Sequence, residues 1–307
     1  MRKYEPINTC YLLTLFCVCI CCLKYISNIA RKSFAPSYAE DLLIHNHHNL
    51  RTLKHNNPKI VRQLLFLLFV IVIPQLLQAQ NLEAQLNSPR VLEARSTKDL
   101  SLQREFEKRC IAYPPTEIYL RAFKKEGVLE VWAKANNGEF VKFKEYPICY
   151  TSGKLGPKRK QGDMQVPEGF YTISEYNPYS SYYLSLRVDY PNQSDRIYGG
   201  GYALGGDIYI HGDCVTEGCL PMTNDKIKEI YWLALLAHNN GQIDVPIHIF
   251  PYRFNNTKND QLETAKHQRM PQLLAFWDNL RTGYYYFEQT HRLPNISVNG
   301  DGSYSFW

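Results

Sequence analysis

The chain has 307 residues, 45% hydrophobic and 21% charged, a balance that excludes a disordered polypeptide and suits one large domain or two small ones. The formal net charge is +6, but Lys and Arg are scattered and cluster only at Lys158-Arg159-Lys160. Neither a GxxxxGK[ST] nor a GxGxxG loop occurs, so nucleotide and nucleic-acid binding find no support.

In chain order, two apolar stretches come first, about Tyr11 to Leu23 and Leu64 to Leu77. The second follows Lys54, Lys59 and Arg62 and precedes Gln78-Ala79-Gln80, the layout of a secretory signal over 54–79, and it is shorter than the roughly 20 residues of a membrane span. A signal normally starts a protein, so residues 1–53 read as a spurious or non-globular extension, with a membrane anchor built from both stretches as the alternative. His45, His47, His48 and His55 belong to a solvated linker between them. Residues 80–109, polar with spaced leucines, read as helix or linker, and a catalytic-size domain fills 110–307. Strands are predicted at Glu117–Phe123, Val128–Ala133, Phe140–Phe143, Tyr146–Tyr150, Phe170–Ile173, Tyr182–Val188, Asp207–His211 and Val245–Phe250. One helix starts at Thr223 or Asn224 and ends at Asn239-Asn240-Gly241; a second is predicted over Gln261–Leu280. The fold class is mainly β with packed helices.

Chemistry concentrates in Ile208-Tyr-Ile-His211-Gly-Asp-Cys214-Val-Thr216-Glu-Gly218-Cys219. A thiol and an imidazole are the minimum equipment for covalent acyl transfer, because the imidazole can take the thiol proton. Glycine before the cysteine permits a tight turn whose N–H groups can face an oxyanion. Three other readings compete. Cys219 could be a small buried hydrophobe, His211, Cys214 and Cys219 could ligate zinc, or Cys214 and Cys219 could form a disulfide that silences the thiol.

The segment resembles the signature of YkuD-type L,D-transpeptidases, with Ile210-His211-Gly212 and Thr216-Glu217-Gly218-Cys219 as the match. Lys154-Leu-Gly-Pro-Lys158, Gly162-Asp163, Val166-Pro-Glu-Gly-Phe-Tyr171, Tyr190-Pro-Asn192, Gly205-Gly206 and Val245-Pro-Ile-His-Ile-Phe-Pro251 are similar to the YafK-like branch. The resemblance implies a YkuD-like β-sandwich or barrel without cofactor or metal. It implies Cys219 as nucleophile, His211 as general base and acid, and Gly218 and Cys219 N–H groups as oxyanion donors; Gly212, Thr216, Cys214 and Glu217 shape the site. Peptidoglycan stem peptides are the implied partner, an outer-membrane lipoprotein is a second, and the protein is expected to be exported to the periplasm or cell envelope, meeting a membrane only through its N-terminal segment. L,D-transpeptidation is the first reading. An L,D-carboxypeptidase or endopeptidase that trims the same bond or releases a wall-linked lipoprotein is the second. A wall-binding or zinc-stabilised module is the non-enzymatic alternative. The chain departs from the family in its short His211-to-Cys219 interval, in Glu217 where a second histidine is usual, and in Pro221 and Met222 where an arginine usually follows. Lys154, Lys158 and Arg196 are candidates for the missing carboxylate contact.

Overall fold

A computed structural model describes residues 83–307; the signal-like segment and the extension before it lie outside the described residues. The strands are β1 (Ile118–Phe123), β2 (Val128–Lys134), β3 (Phe140–Pro147), β4 (Gly169–Asn177), β5 (Ser185–Val188), β6 (Tyr209–His211), β7 (Leu220–Pro221) and β8 (Val245–Phe250). They form one eight-stranded sheet in the order β3-β2-β1-β8-β4-β5-β6-β7. The helices are α1 (Pro89–Lys108), α2 (Gln193–Tyr198), α3 (Asn224–Asn239), α4 (Thr257–Lys266) and α5 (Pro271–Thr290), and a hairpin of β9 (Ile296–Val298) and β10 (Tyr304–Phe306) follows. The expected class, a sheet-centred domain with packed helices, is the observed one.

Every residue of β1 is buried. The period-2 pattern there separates two buried faces, one aliphatic (Ile118, Leu120, Ala122) and one that carries Tyr119, Arg121 and Phe123, as in a strand covered on both sides. Ile118, Leu120, Ala122, Ile247 and Ile249 share one core with Val91, Leu102 and Phe106 of α1 and Ile230 and Leu233 of α3. On the other face Phe123, Phe170 and Phe250 pack with Trp277, Leu280 and Tyr284 of α5. α3 starts where its cap predicts, with the Thr223 side chain accepting from Lys226 N.

Several expectations need correction. Pro89–Lys108, within the segment read as helix or linker, is a helix that buries Val91, Ala94, Leu102 and Phe106 and exposes Leu92 and Leu100. The predicted helix at 261–280 is two helices, because Pro271 has no N–H to donate and drives Met270 to φ −121°, ψ 65°. The strand expected from Tyr182 starts only at Ser185, since Tyr183 has φ +71°. Tyr146 belongs to β3 rather than to a further strand, and α2, β7 and the C-terminal hairpin carried no recognised signal.

The sheet curls until its outer strands meet. Just past β3, Cys149 N donates to Pro221 O of β7 at 2.9 Å, and Lys226 Nζ donates to Pro147 O at 3.1 Å. The Cys149–Cys214 disulfide, Cα–Cα 5.3 Å, crosses the same seam.

His248, in the middle of β8, is buried and shares a 2.8 Å hydrogen bond with the Tyr119 hydroxyl through Nδ1. Burial, helped by the Arg121 charge, pulls its pKa down to about 3. The unfolded chain takes this proton near pH 6.5, whereas the folded chain refuses it until about pH 3, so this contribution to stability is lost as pH falls through that window. One such proton is worth about 1.4 kcal/mol per pH unit. Urea unfolding between pH 6 and 4 should lose stability less steeply in His248→Gln than in the native chain; equal slopes would contradict this.

Candidate active site

β5, β6 and β7 form the end of the sheet that carries the site. β6 pairs antiparallel with β5 and parallel with β7, in the register Ile210↔Leu220 and His211↔Pro221. This register sets Cys219, one residue before β7, beside Tyr209. Tyr209 N donates to Cys219 Sγ at 3.4 Å, and Sγ donates to Asp207 O at 3.4 Å. His211 lies two residues farther along the same strand face, roughly 7 Å on. The resting thiol is therefore hydrogen-bonded to the β6 backbone and makes no direct bond to the imidazole among the described residues.

His211 is buried, and its Nδ1 lies 2.5 Å from Gly212 O. A carbonyl only accepts, so Nδ1 carries the proton and Nε2 presents a lone pair. Burial holds the His211 pKa below its ordinary 6.5 despite the Gly212 bond and the Asp213 charge. The imidazole is neutral at neutral pH, as a base must be. Tyr182 lies against the ring, centroids 4.7 Å apart. The sequence reading missed Tyr182 as a site residue; its position in an expected strand concealed it.

Cys219 is half-buried and free. Burial pushes its thiol above the ordinary value of 9.0; the Tyr209 N–H opposes this, the Asp207 carboxylate adds to it and Lys158 opposes it. Asp207 is thus the carboxylate that bears on the thiol, in place of Glu217, which is exposed. Iodoacetamide alkylation of Cys219, followed peptide by peptide with exposed Cys110 as internal control, should be slow at pH 7 and still rising past pH 9. A plateau below pH 8 would mean that the thiolate is stabilised.

The Thr216 hydroxyl holds the turn before Cys219 and makes no hydrogen bond to His211. It donates to Cys219 O at 2.9 Å and accepts from Gly218 N at 3.2 Å. The Gly218 N–H, expected to face an oxyanion, is therefore already engaged. Cys219 N has no hydrogen-bond partner among the described residues. Gly218 has φ +120°, and a Cβ there would lie 2.9 Å from Gln165 O. A Cβ on Gly212 would meet Asn224 Oδ1 at 2.5 Å, the atom that accepts from Asp213 N. Both glycines are required by close approach.

Cys214 is paired with Cys149, which removes two of the earlier alternatives. It cannot silence Cys219 as its disulfide partner, and it is not available as a third zinc ligand. No group of three His, Cys, Asp or Glu side chains among the described residues could hold a metal. Of the three candidate carboxylate binders, Lys158 is buried and spent on Asp163 Oδ1 at 2.7 Å and Lys160 O at 2.9 Å. Arg196 is exposed on α2, and Lys154 is exposed on the loop after Cys149. Tyr190 is buried, with its hydroxyl between Lys158 O and Leu204 O, so it packs the floor of this region.

The model of the YkuD family, described as the L,D-transpeptidase catalytic domain, matches residues 119–249, from β1 to β8. The chain belongs to this family. YafK of Escherichia coli (strain K12), provisionally named an L,D-transpeptidase, is 35% identical over 207 residues, covering 66% of this chain and 78% of that protein. Among solved structures, the helical cell shape determining protein Pgp2 of Campylobacter jejuni aligns with TM-score 0.37 and 20% identity, over 66% of this chain and 80% of that one. Bd1075 of Bdellovibrio bacteriovorus aligns with TM-score 0.34 and 20% identity, over 62% and 79%. No helix of the described residues is long and apolar enough to cross a membrane.

Proposed function

We propose that the protein is a cysteine-dependent L,D-transpeptidase that acts on peptidoglycan stem peptides through a thioester on Cys219. The observation that carries the reading is a free thiol one residue before β7, beside the strand that ends in a neutral imidazole whose Nδ1 is locked by a carbonyl. In the reaction the thiol leaves the Asp207 carbonyl and passes its proton to His211 Nε2. The thiolate attacks the L-centre carbonyl of diaminopimelate in a stem tetrapeptide. Cys219 N–H holds the oxyanion, while Gly218 N–H, engaged by Thr216, keeps the turn in shape. Collapse breaks the bond to terminal D-alanine, whose amine takes the proton from His211, and leaves a thioester. An amine of a second stem peptide, or a lysine of a lipoprotein, then displaces Cys219. A base that starts neutral is needed because the thiol itself starts protonated.

Hydrolysis of the same thioester, as in an L,D-carboxypeptidase or endopeptidase, is the second reading. It draws on Pro221 and Met222, which give the site no arginine to hold an acceptor carboxylate. Both readings place the enzyme in the cell envelope, the signal-like segment at 54–79 being its means of export. The test is purified protein with tetrapeptide: intact mass should show an acyl adduct on Cys219, and muropeptide analysis should show cross-linked dimers. Trimmed monomers alone would assign hydrolysis, and a native chain that never forms the adduct would overturn both. A wall-binding module would bind sacculi equally well as Cys219→Ser and carry no adduct.

A further inference from the structure

The loop after the seam disulfide forms one wall of a cavity of about 470 Å³, within the range of small-ligand sites. Thr151, Gly153, Lys154 and Leu155 line that wall, and Lys125 with Glu263, Lys266 and His267 lines the other. Both ends of the wall are tied to the nucleophile loop. At its start Cys149 is bonded to Cys214 and donates to Pro221 O, two residues past Cys219. Farther on, the Gln165 side chain accepts from Lys154 N at 2.9 Å, while the carbonyl of the same residue sits where a Gly218 Cβ would approach it to 2.9 Å. One residue therefore spans from the cavity wall to the glycine before the nucleophile, a separation on the order of 10 Å.

The charges of the cavity do not balance. Lys124, fully buried, is spent on Gly156 O, Val166 O and Glu168 Oε1. Glu263 is held as a carboxylate, Lys125 at 2.8 Å and Lys266 at 3.0 Å outweighing its burial. That leaves three ammonium groups (Lys125, Lys154 and Lys266) against one carboxylate. Lys154 Nζ makes no hydrogen bond or ion pair among the described residues and is the one cation of the set free to take a new partner. A concave surface with surplus positive charge selects anions and raises their local concentration.

We propose that this cavity is an anion subsite that binds a carboxylate of the peptide substrate, with Lys154 as its principal contact. A carboxylate borne on a side chain of the peptide, on the order of 10 Å from the scissile carbonyl, reaches the cavity while that carbonyl lies at Cys219. The cavity is a specificity determinant that discriminates carboxylate-bearing stem peptides from amidated ones. The identity of the peptide rests on the acyl-transfer reading above.

The test measures binding in the Cys219→Ala protein, where no chemistry occurs, by calorimetry with a tetrapeptide in free-carboxylate and in amidated form. The free form should bind more tightly. Lys154→Ala in that background should weaken its binding about tenfold or more, the effect of losing a hydrogen bond to a charged group. The amidated form should lose less than twofold, and Lys154→Arg should restore most of the difference. An equal loss on both peptides, no loss on either, or no binding of the free form would overturn the subsite. Failure of the acyl-transfer reading is scored separately, by the absence of an acyl adduct on native Cys219.

Discussion

Cys219→Ala should yield a folded protein that forms no acyl adduct and turns over no stem peptide, and His211→Gln should lower kcat/KM by about 10²–10⁴-fold. The two losses differ in kind. In the proposed reaction alanine removes the atom that would bond to the substrate carbonyl, so no covalent route would remain. Glutamine leaves the thiol in place but removes the proton acceptor, and the thiol, whose pKa is raised by burial, then depends on the small thiolate fraction present at the working pH. The surviving activity of His211→Gln should therefore climb with pH beyond 9. The native chain should hold its rate down to below pH 6.5, because burial keeps His211 unprotonated there, and fall at lower pH. Parallel pH profiles for the two proteins would remove His211 from the reaction. His211 is buried, so circular dichroism and the thermal midpoint of the variant must accompany the kinetics.

The second large effect belongs to the seam disulfide, and it is asymmetric. Closing a loop of sequence separation 65 is worth about 4 kcal/mol in the chain-entropy account. Either single Cys→Ser change should lower the thermal midpoint by on the order of 10 °C for a domain of this size. Their activities should diverge in oxidised glutathione. Cys149→Ser leaves Cys214 as a thiol in the same short loop as Cys219, and two-electron oxidation by glutathione disulfide can join them. This variant should lose thiol reactivity at Cys219 and regain it with dithiothreitol. Cys214→Ser, and the double variant Cys149→Ser/Cys214→Ser, have no such partner in the loop and should keep a reactive Cys219. Peptide mapping for a Cys214–Cys219 link decides the matter: equal oxidative loss in Cys149→Ser and Cys214→Ser would contradict this role for Cys149.

The elements legible in the sequence were those whose burial is decided locally. β1 and β2 alternate over a few residues, β8 is a short apolar run, and α3 has a capping threonine before a 3.6-residue apolar stripe, so short windows found them. β7 is two residues long and exists only because β6 lies beside it, so no window could show it. At the site, His211 and Cys219 stood out by residue type and neighbours, and the glycines by the turns that they permit. The partner of Cys214 was not legible, because Cys149 reaches it only through closure of the sheet. For the same reason Asp207 was overlooked: its influence on the thiol follows from the strand register and not from sequence distance. The engaged state of Gly218 N–H likewise depends on where the Thr216 hydroxyl turns.

α1 bears on what is inherited and what folds. The family match begins at residue 119, yet Val91, Ala94, Leu102 and Phe106 lie ahead of it and are buried in the same core as β1 and α3. Their polar neighbours add Lys98–Asp225 at 2.6 Å and Trp232 Nε1 to Asp99 at 2.7 Å. A polypeptide that began at residue 119 would lose that apolar stripe and bare the core surface beneath it, at a cost of roughly 5 kcal/mol or more, which is comparable to the whole stability of an ordinary domain. The segment matched by the family model is thus smaller than the set of residues that share its core. A polypeptide that presents Cys219 on a closed core therefore needs α1, a helix that lies ahead of the matched segment.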